Sequence, residues 1–389
     1  MNTGTIGTYL KKNMMVVALV LVVILFSIGT GGKILFAQNV NNLISQNGYV
    51  FVLATGMLCC ILTGGNIDLS AGSVVCFTGA IGGVMLQAKL PTALAVIAML
   101  VVGLLIGAFQ GFWIAWIKVP PFIATLAGMY AFRGLSNVVL QGYAVGINDT
   151  AFLNLFGGGA DCYIPDFLNG GKLNLTCLAA GIVITVIYVL MTLRGMAVRK
   201  KKGIGSDNAT VDLVVMVIVS ALILWITWKL TNYKGIPSVL VWIALVLLIY
   251  GYVTTYTAIG RYFYAVGGNE KATRLSGVNT SLVYFIAYVN MGLMAGLAGI
   301  LTVARASGVQ PTFGQGYEMD AIAACFIGGA SAYGGVGKIT GVIIGATLMG
   351  VINQGMSIMG ISANYQRAIK GAVLLIAVLV DVLSNKEKA

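Results

Sequence analysis

The sequence predicts an all-α fold: a polytopic transmembrane helical bundle of about 10–12 membrane segments, with re-entrant or broken helices among the shorter ones. Three observations predict it. Of the 389 residues 59% are hydrophobic and only 9% are charged, where an ordinary soluble domain has about a quarter charged. The mean hydropathy is +0.95. Apolar runs long enough to enter a hydrocarbon core about 30 Å thick recur along the whole chain, and in lipid helices rather than barrel strands satisfy the backbone of such runs.

In chain order the runs are 14–30, 49–63, 69–87, 92–116, 121–139, 175–193, 210–229, 237–255, 281–304, 319–332, 339–358 and 366–383. Lys11 and Lys12 precede the first, which resembles a signal peptide; no small-x-small cleavage site follows, so it reads as a retained helix. With the N-terminus inside, fourteen of the 23 Lys and Arg residues face the cytoplasm: Lys11, Lys12, Lys118, Arg194, Arg199 to Lys202, Arg261, Lys271, Arg274, Lys338, Lys386 and Lys388. That bias places both termini in the cytoplasm. The chain then reads as a single membrane domain, 1–389, with an outer loop at 140–174, a basic cytoplasmic loop at 194–209 and a second cytoplasmic loop at 256–280. The outer loop, with Asp149, Asp161 and Asp166, serves either as a docking platform or as a solvated connector.

Composition also excludes chemistry. The chain has no histidine, which removes the commonest general base and metal ligand, and its six cysteines lack ligand spacing, so no metal site and no cofactor are expected. Cys162 and Cys177 read as packing residues, with an external pairing as the alternative. In a membrane protein the net charge of +12 points to anionic lipid headgroups and cytoplasmic loops, not to nucleic acid. The stretch AYGGVGKIT, Ala332 to Thr340, has the outline of a phosphate-binding loop, but Ala332 stands where that loop needs its first glycine and Ile339 where it needs Ser or Thr. The chain therefore carries no nucleotide-binding motif of its own.

Two stretches echo each other. MLCCILTGGNIDLSAGSVVCFTGAIGG at 57–83 and IAACFIGGASAYGGVGKITGVIIGATLMG at 322–350 each read as apolar helix, glycine break, then a helix of small residues. Breaks at Gly64 and Gly65, and at Gly328, Gly329, Gly334 and Gly335, point to a transport pathway, or else to close helix packing. In YAVGGNEKATRLSGVNTS, 264–281, Asn269 is placed to cap a short helix, Glu270 to pair with Arg274 at i,i+4, and Gly277 to end it. So short a helix needs a supporting surface, with Ala272 and Leu275 as contacts.

Those residues carry a resemblance. GGNEKATRLSGVN is similar to the cytoplasmic coupling loop of bacterial ATP-binding-cassette sugar importers of the ribose, xylose and galactose permease family. ILTGGNIDLSAGS (61–73), KVPPFIATLAGMYAFRG (118–134) and GYEMDAIAACFIGGASAYGGVGK (316–338) resemble that family's landmarks in the same order. The resemblance is strongest to the multiple-monosaccharide branch, although the extra length around 194–240 departs from compact members. It implies a permease subunit, not an enzyme, in the bacterial plasma (inner) membrane. The implied partners are a cytoplasmic cassette ATPase, an external sugar-binding protein, a second permease copy, membrane lipid and a monosaccharide. Gly268, Asn269, Glu270, Ala272, Arg274 and Gly277 would transmit the ATP-driven motion.

A neutral sugar needs hydrogen-bonding groups along its passage, for which Asn66, Asp68, Gln110, Asn290, Asn353 and Gln354 are candidates, with interhelical bonding as the alternative role. Asp68 is also placed to cap the helix from Leu69, and Glu318 and Asp320 to cap another; Arg133, inside a span, could pair with Asp68. The rival function is an ion-coupled secondary transporter of a small polar solute with Asp68 as relay acid. A membrane enzyme is disfavoured by the missing histidines and clustered acids.

Overall fold

The computed structural model describes residues 14–171, 173–201 and 209–386; Lys11, Lys12, Lys388 and the 202–208 part of the basic loop lie outside the described residues. Sixteen α-helices form among them. They are α1 (Met14–Gly29), α2 (Ala37–Gln46), α3 (Gly48–Leu62), α4 (Ala71–Gln87), α5 (Thr92–Ala115), α6 (Pro121–Leu140), α7 (Thr150–Phe156) and α8 (Leu175–Lys201). There follow α9 (Ala209–Thr231), α10 (Ser238–Tyr256), α11 (Ala258–Gly268), α12 (Glu270–Leu275), α13 (Thr280–Ala306), α14 (Tyr317–Ile327), α15 (Ile339–Ile358) and α16 (Ala363–Lys386). Extended pairing among the described residues is confined to Val145–Gly146 against Gly308–Val309, antiparallel, and a Tyr163–Pro237 bridge.

The all-α bundle is as expected, and each of the twelve apolar runs falls on a helix. Seven helices, α5, α6, α8, α9, α10, α13 and α15, are long and apolar enough to cross a membrane; α2 and α3, bent by 40° at Asn47, make an eighth if they count as one broken span. The expected run 319–332 ends early, at Ile327. Gly328 stops α14 and Gly329 takes a left-handed φ of 77°, which starts a break instead of another helical turn.

At the centre, α3 is buried along its whole length and α13 along most of its own. Lipid gives no hydrophobic drive for one apolar helix to join another, so close backbone packing must hold such a core. Gly103, Gly107 and Gly111 recur every fourth residue on α5 along α13: Gly103 and Gly107 face Gly292 and Gly296, and Gly111 faces Phe285 and Tyr288. A Cβ on Gly103 would overlap the Gly292 carbonyl, and one on Gly292 would lie 2.8 Å from Gly107 Cα. Two turns along α13 from Gly292, a Cβ on Gly299 would sit 2.6 Å from Thr78 Oγ1 of α4.

The long α8–α9 hairpin is peripheral, packed on itself and on α2, with most of its apolar side chains facing outward as lipid-exposed residues do. At its basic end Arg199 pairs with Asp212 at 3.5 Å. All six cysteines are free and buried, so Cys162 and Cys177 do not pair.

In the 140–174 loop, the Asp166 carboxylate accepts backbone N–H groups of Gly170 (2.8 Å) and Thr176 (3.0 Å) and the Thr176 hydroxyl (2.8 Å). The Gly170 amide leads the effects that hold its pKa down at about 2.

Two outcomes follow from this packing. Gly103→Val should cost at least about 2 kcal/mol by overpacking against backbone, seen as a lower melting temperature in detergent. Gly134→Ala and Gly251→Ala, where nothing lies within 4 Å, should stay within about 1 kcal/mol of the parent. For Asp166, whose folded pKa lies below the unfolded value of about 3.9, the stabilisation is present above that value and is lost as pH falls toward 2. Amide exchange at 168–176, corrected for intrinsic rate, should accelerate over that window, and Asp166→Asn should remove the pH dependence.

Candidate functional site at the glycine junction

The two echoing breaks meet. Between α3 and α4 the chain turns at Gly64 and Gly65, with φ of 119° and 74°; between α14 and α15 it turns at Gly334 and Gly335, with φ of 85° and 70°. Left-handed backbone is open to glycine at little cost and strained for any side chain. A Cβ on Gly65 would overlap the Ala332 carbonyl, and one on Gly334 would overlap Gly64. The Gly335 amide donates to the Leu62 carbonyl at 3.0 Å, which gives the last turn of α3 a partner it lacks within its own helix.

A third segment enters the same contact. α11 ends at Gly267–Gly268; a Cβ on Gly267 would overlap the Leu62 carbonyl, and one on Gly335 would lie 2.9 Å from the Gly268 amide. One turn earlier on α11, the Tyr264 hydroxyl donates to the Gly337 carbonyl at 2.8 Å. Three glycine doublets from separate parts of the chain thus pack backbone on backbone beside the loop at 269–279. The other expected pair of break glycines lies elsewhere: Gly328 packs on Gly341 at the start of α15, and a Cβ on Gly329 would lie 3.0 Å from Met15 of α1.

Asn269 caps α12, accepting from the Ala272 amide at 3.0 Å, and Gly277 follows the helix with a φ of 86°. Ala272, Arg274 and Leu275 are exposed, Leu275 to 89%. The expected Glu270–Arg274 pair does not form. Glu270 instead accepts from Thr280 Oγ1 (3.1 Å) and the Tyr284 hydroxyl (3.0 Å), because the first turn of α13 brings two donors closer than the flexible guanidinium. The loop is thereby bolted to the central helix. Lys118 joins there, with Nζ 5.6 Å from the Tyr284 ring and 3.2 Å from Ser281 Oγ.

The six polar residues expected along a passage fall into separate groups. Asp68 Oδ1 accepts from the Ser70 amide (2.8 Å) and hydroxyl (2.6 Å), and Ser70 exchanges bonds with Gln110. The helix begins at Ala71, so Asp68 makes a turn ahead of α4 and does not cap its first amides. Asn66 bonds back to the Thr63 carbonyl at 3.2 Å. Asn290 accepts from the Tyr250 hydroxyl, while its Nδ2 has no partner among the described residues. Asn353 Nδ2 donates to Asn47 Oδ1 at 3.1 Å, and Gln354 Oε1 is buried without a partner among the described residues.

Arg133 does not reach Asp68. Its Nη1 donates to the carbonyls of Pro311 (3.3 Å) and Phe313, in a loop whose backbone lacks helical partners. Asp320 is likewise an ion-pair partner and no cap: Oδ2 accepts from Lys370 Nζ of α16 (2.9 Å) and the Tyr49 hydroxyl (2.6 Å), with Asn353 Nδ2 at 3.5 Å. The α14 cap position is Gly316, and Glu318 lies buried in its first turn. Sequence reasoning missed Gly267, Tyr264, Tyr284, Tyr49 and Lys370. The GG doublet at 267–268 was a readable signal; the tyrosines and Lys370 act through contacts hundreds of residues apart in some cases.

Lys370→Met should cost about 3 kcal/mol or more, since it leaves a wholly buried carboxylate unpaired, and the double variant with Asp320→Asn should recover most of that. Melting curves of the four proteins in one detergent give the cycle.

Comparison with known proteins accords with this architecture. The family described as branched-chain amino acid transport system, permease component, matches residues 39–378. The xylose transport system permease protein XylH of Escherichia coli K12 is 36% identical over 99% of this chain and 95% of its own length. XylH of Haemophilus influenzae is 33% identical over 97% of this chain and 98% of its own, and the ribose import permease protein RbsC of Escherichia coli K12 is 36% identical over 88% and 85%. No solved structure matches the chain. A bundle of membrane-spanning helices with broken segments, matched over most of its length to transport permeases, belongs to the family of permease components described for the branched-chain amino acid transport system.

Proposed function

We propose that the chain is the membrane subunit of an ATP-driven importer of monosaccharides in the bacterial inner membrane. It would form the passage while a separate cytoplasmic ATPase supplies the work. The sugar class is suggested by the xylose and ribose permeases, which align along nearly the whole chain. On this reading α12, with Asn269, Glu270, Ala272, Arg274 and Leu275, is the element that seats on the ATPase, and an external binding protein delivers sugar at the opposite end.

The observation that carries the reading is a chain of backbone contacts: Gly267 meets Leu62 at the end of α3 and Gly335, while Gly334 in turn meets Gly64 and Gly65. A push on α12 is passed through backbone, without slack from side-chain rotamers, to the two places where helices are interrupted. Glu270 fixes the same loop to α13 through Thr280 and Tyr284. Both termini and the α12 end would be cytoplasmic, as the basic residues suggest. A second copy of the chain would complete the passage, and the unpartnered amide atoms of Asn290, Asn353 and Gln354 are groups that a sugar hydroxyl or a water would satisfy. Asp68, the relay acid of an ion-coupled mechanism, has one carboxylate oxygen engaged by both the amide and the hydroxyl of Ser70.

The test is to purify the chain from its native membrane in mild detergent, identify co-purifying proteins by mass spectrometry, and measure ATP hydrolysis and sugar uptake after reconstitution. A stoichiometric cassette ATPase and ATP-dependent uptake are expected; a chain that purifies alone without hydrolysis would overturn the reading. In that system Gly267→Ala should lower uptake at least about tenfold, since its Cβ meets the Leu62 backbone, whereas Gly268→Ala, with open space around it, should transport within about twofold of the parent. Glu270→Gln should uncouple, with ATP hydrolysed but uptake lowered about tenfold or more.

A further inference from the structure

We propose that a cavity at the end of the bundle opposite α12 is a weak receiving site for one neutral monosaccharide, held by Thr302 and Arg305 against the rings of Phe313 and Tyr317. The proposal deepens the importer reading and rests on it. The cavity, of about 300 Å³, lies where α2 ends, α3 begins, α13 ends and α14 begins, and its lining includes Gln46, Tyr49, Thr302, Arg305, Phe313 and Tyr317.

Two of its polar groups are left without a hydrogen bond of ordinary geometry among the described residues. Arg305 has a buried Nε with no partner, and the buried hydroxyl of Thr302, a residue only 9% exposed, has no better than a loose contact with Tyr317. Buried donors left unsatisfied are unfavourable and uncommon, so a pair of them lining one cavity marks a place where water or a ligand supplies the missing bonds. The walls are fixed in advance. Tyr317 stacks on Tyr49 with ring centroids 3.6 Å apart and planes at 12°, and Tyr49 is itself anchored on Asp320. Phe313 sits in the loop whose carbonyls Arg133 holds, and that loop touches the α4 backbone at Gly72.

The chemistry of the lining selects the ligand. Aromatic faces suit the C–H faces of a sugar ring, and hydroxyl, amide and guanidinium groups suit its hydroxyls. The lining itself supplies a single guanidinium and no other cation, with Lys370 already taken up by Asp320, so the site is built more for hydroxyls than for an anion. The volume stands at the small end of the roughly 300–1,000 Å³ range of small-molecule pockets, which suits one ring and not two.

The experiment is saturation-transfer difference NMR on the full-length chain in nanodiscs, with D-xylose and D-ribose as probes, sucrose as the size control and xylonate as the anionic competitor. Transfer to xylose or ribose is expected, none to sucrose, and at least tenfold weaker binding in Thr302→Val and Arg305→Gln. Ala306→Phe, which fills the mouth and removes no partner, should also abolish the signal. Equal binding by monodisperse variants would show an adventitious contact, and silence in the parent chain would show no site; either overturns the proposal. Stronger binding of xylonate than of xylose would overturn it in favour of an anion site. ATP-driven uptake by the assembled importer separates the two readings: uptake with a silent cavity sinks the cavity alone, and a sugar-binding chain whose importer carries no sugar sinks the functional reading.

Discussion

Contact of backbone with backbone, made possible by glycine, is the constraint on which this protein depends. In a bilayer the lipid is as apolar as any leucine, so helices are held by how closely they approach and by the polar groups they satisfy. The α5–α13 seam shows the first requirement: Gly103 and Gly107 meet Gly292 with no side chain between them. The junction of three glycine doublets shows both at once, since the close approach there also lets the Gly335 amide reach the Leu62 carbonyl. Without that bond, an interrupted helix inside the membrane would leave its terminal carbonyls bare. The short helices α3, α4 and α14 are tolerated for this reason. Their ends are finished by neighbours.

The charged groups inside the bundle obey the same rule at longer range. Asp320 is wholly buried, and Lys370, Tyr49 and Asn353 converge on one of its oxygens. Arg133 meets loop carbonyls, so a cation replaces the amide donors that an irregular segment cannot find for itself. In each case the charge ties an irregular or terminal segment to a helix of the core. Such pairs are weak sources of net stability, but they fix which helix meets which, and α16 reaches α14 through this ion pair as well as through apolar packing.

Much of this was legible in the sequence. Composition alone specified the membrane bundle, and hydropathy located all twelve apolar helices because the solvent imposes one requirement on each of them. The glycine breaks were legible too, since few residues other than glycine turn in the left-handed region. What escaped was the pairing of groups distant along the chain. Glu270 was matched with Arg274 by helical spacing, but Thr280 and Tyr284 lie nearer in space. Asp320 and Lys370 are 50 residues apart and belong to helices whose adjacency no local pattern encodes. The 319–332 run was overextended because apolar character continues past Gly328 and Gly329, although that doublet also read as a break and is where α14 stops. The candidate pathway residues were chosen for polarity, which marks interhelical bonds as well as it marks a passage, and the structure distributes them over several sites.

Two of the elements that join the ends of the molecule touch both sites. α3 and α13 each run from the glycine junction or its adjoining loop to the cavity beside Thr302 and Tyr49; α3 is wholly buried and α13 along most of its length. A packed helix transmits displacement along its axis with little loss, because its interior is as dense as a crystal and its rotamers are fixed. On the proposed reading, a shift of α12 would act on α13 through Glu270 and on α3 through Gly267. The interruptions at Gly64–Gly65 and Gly334–Gly335 would then yield first, since their backbone alone has conformations to spare. Rigid struts between a compliant junction and a preformed cavity are what a device needs if force applied at one face is to change access at the other.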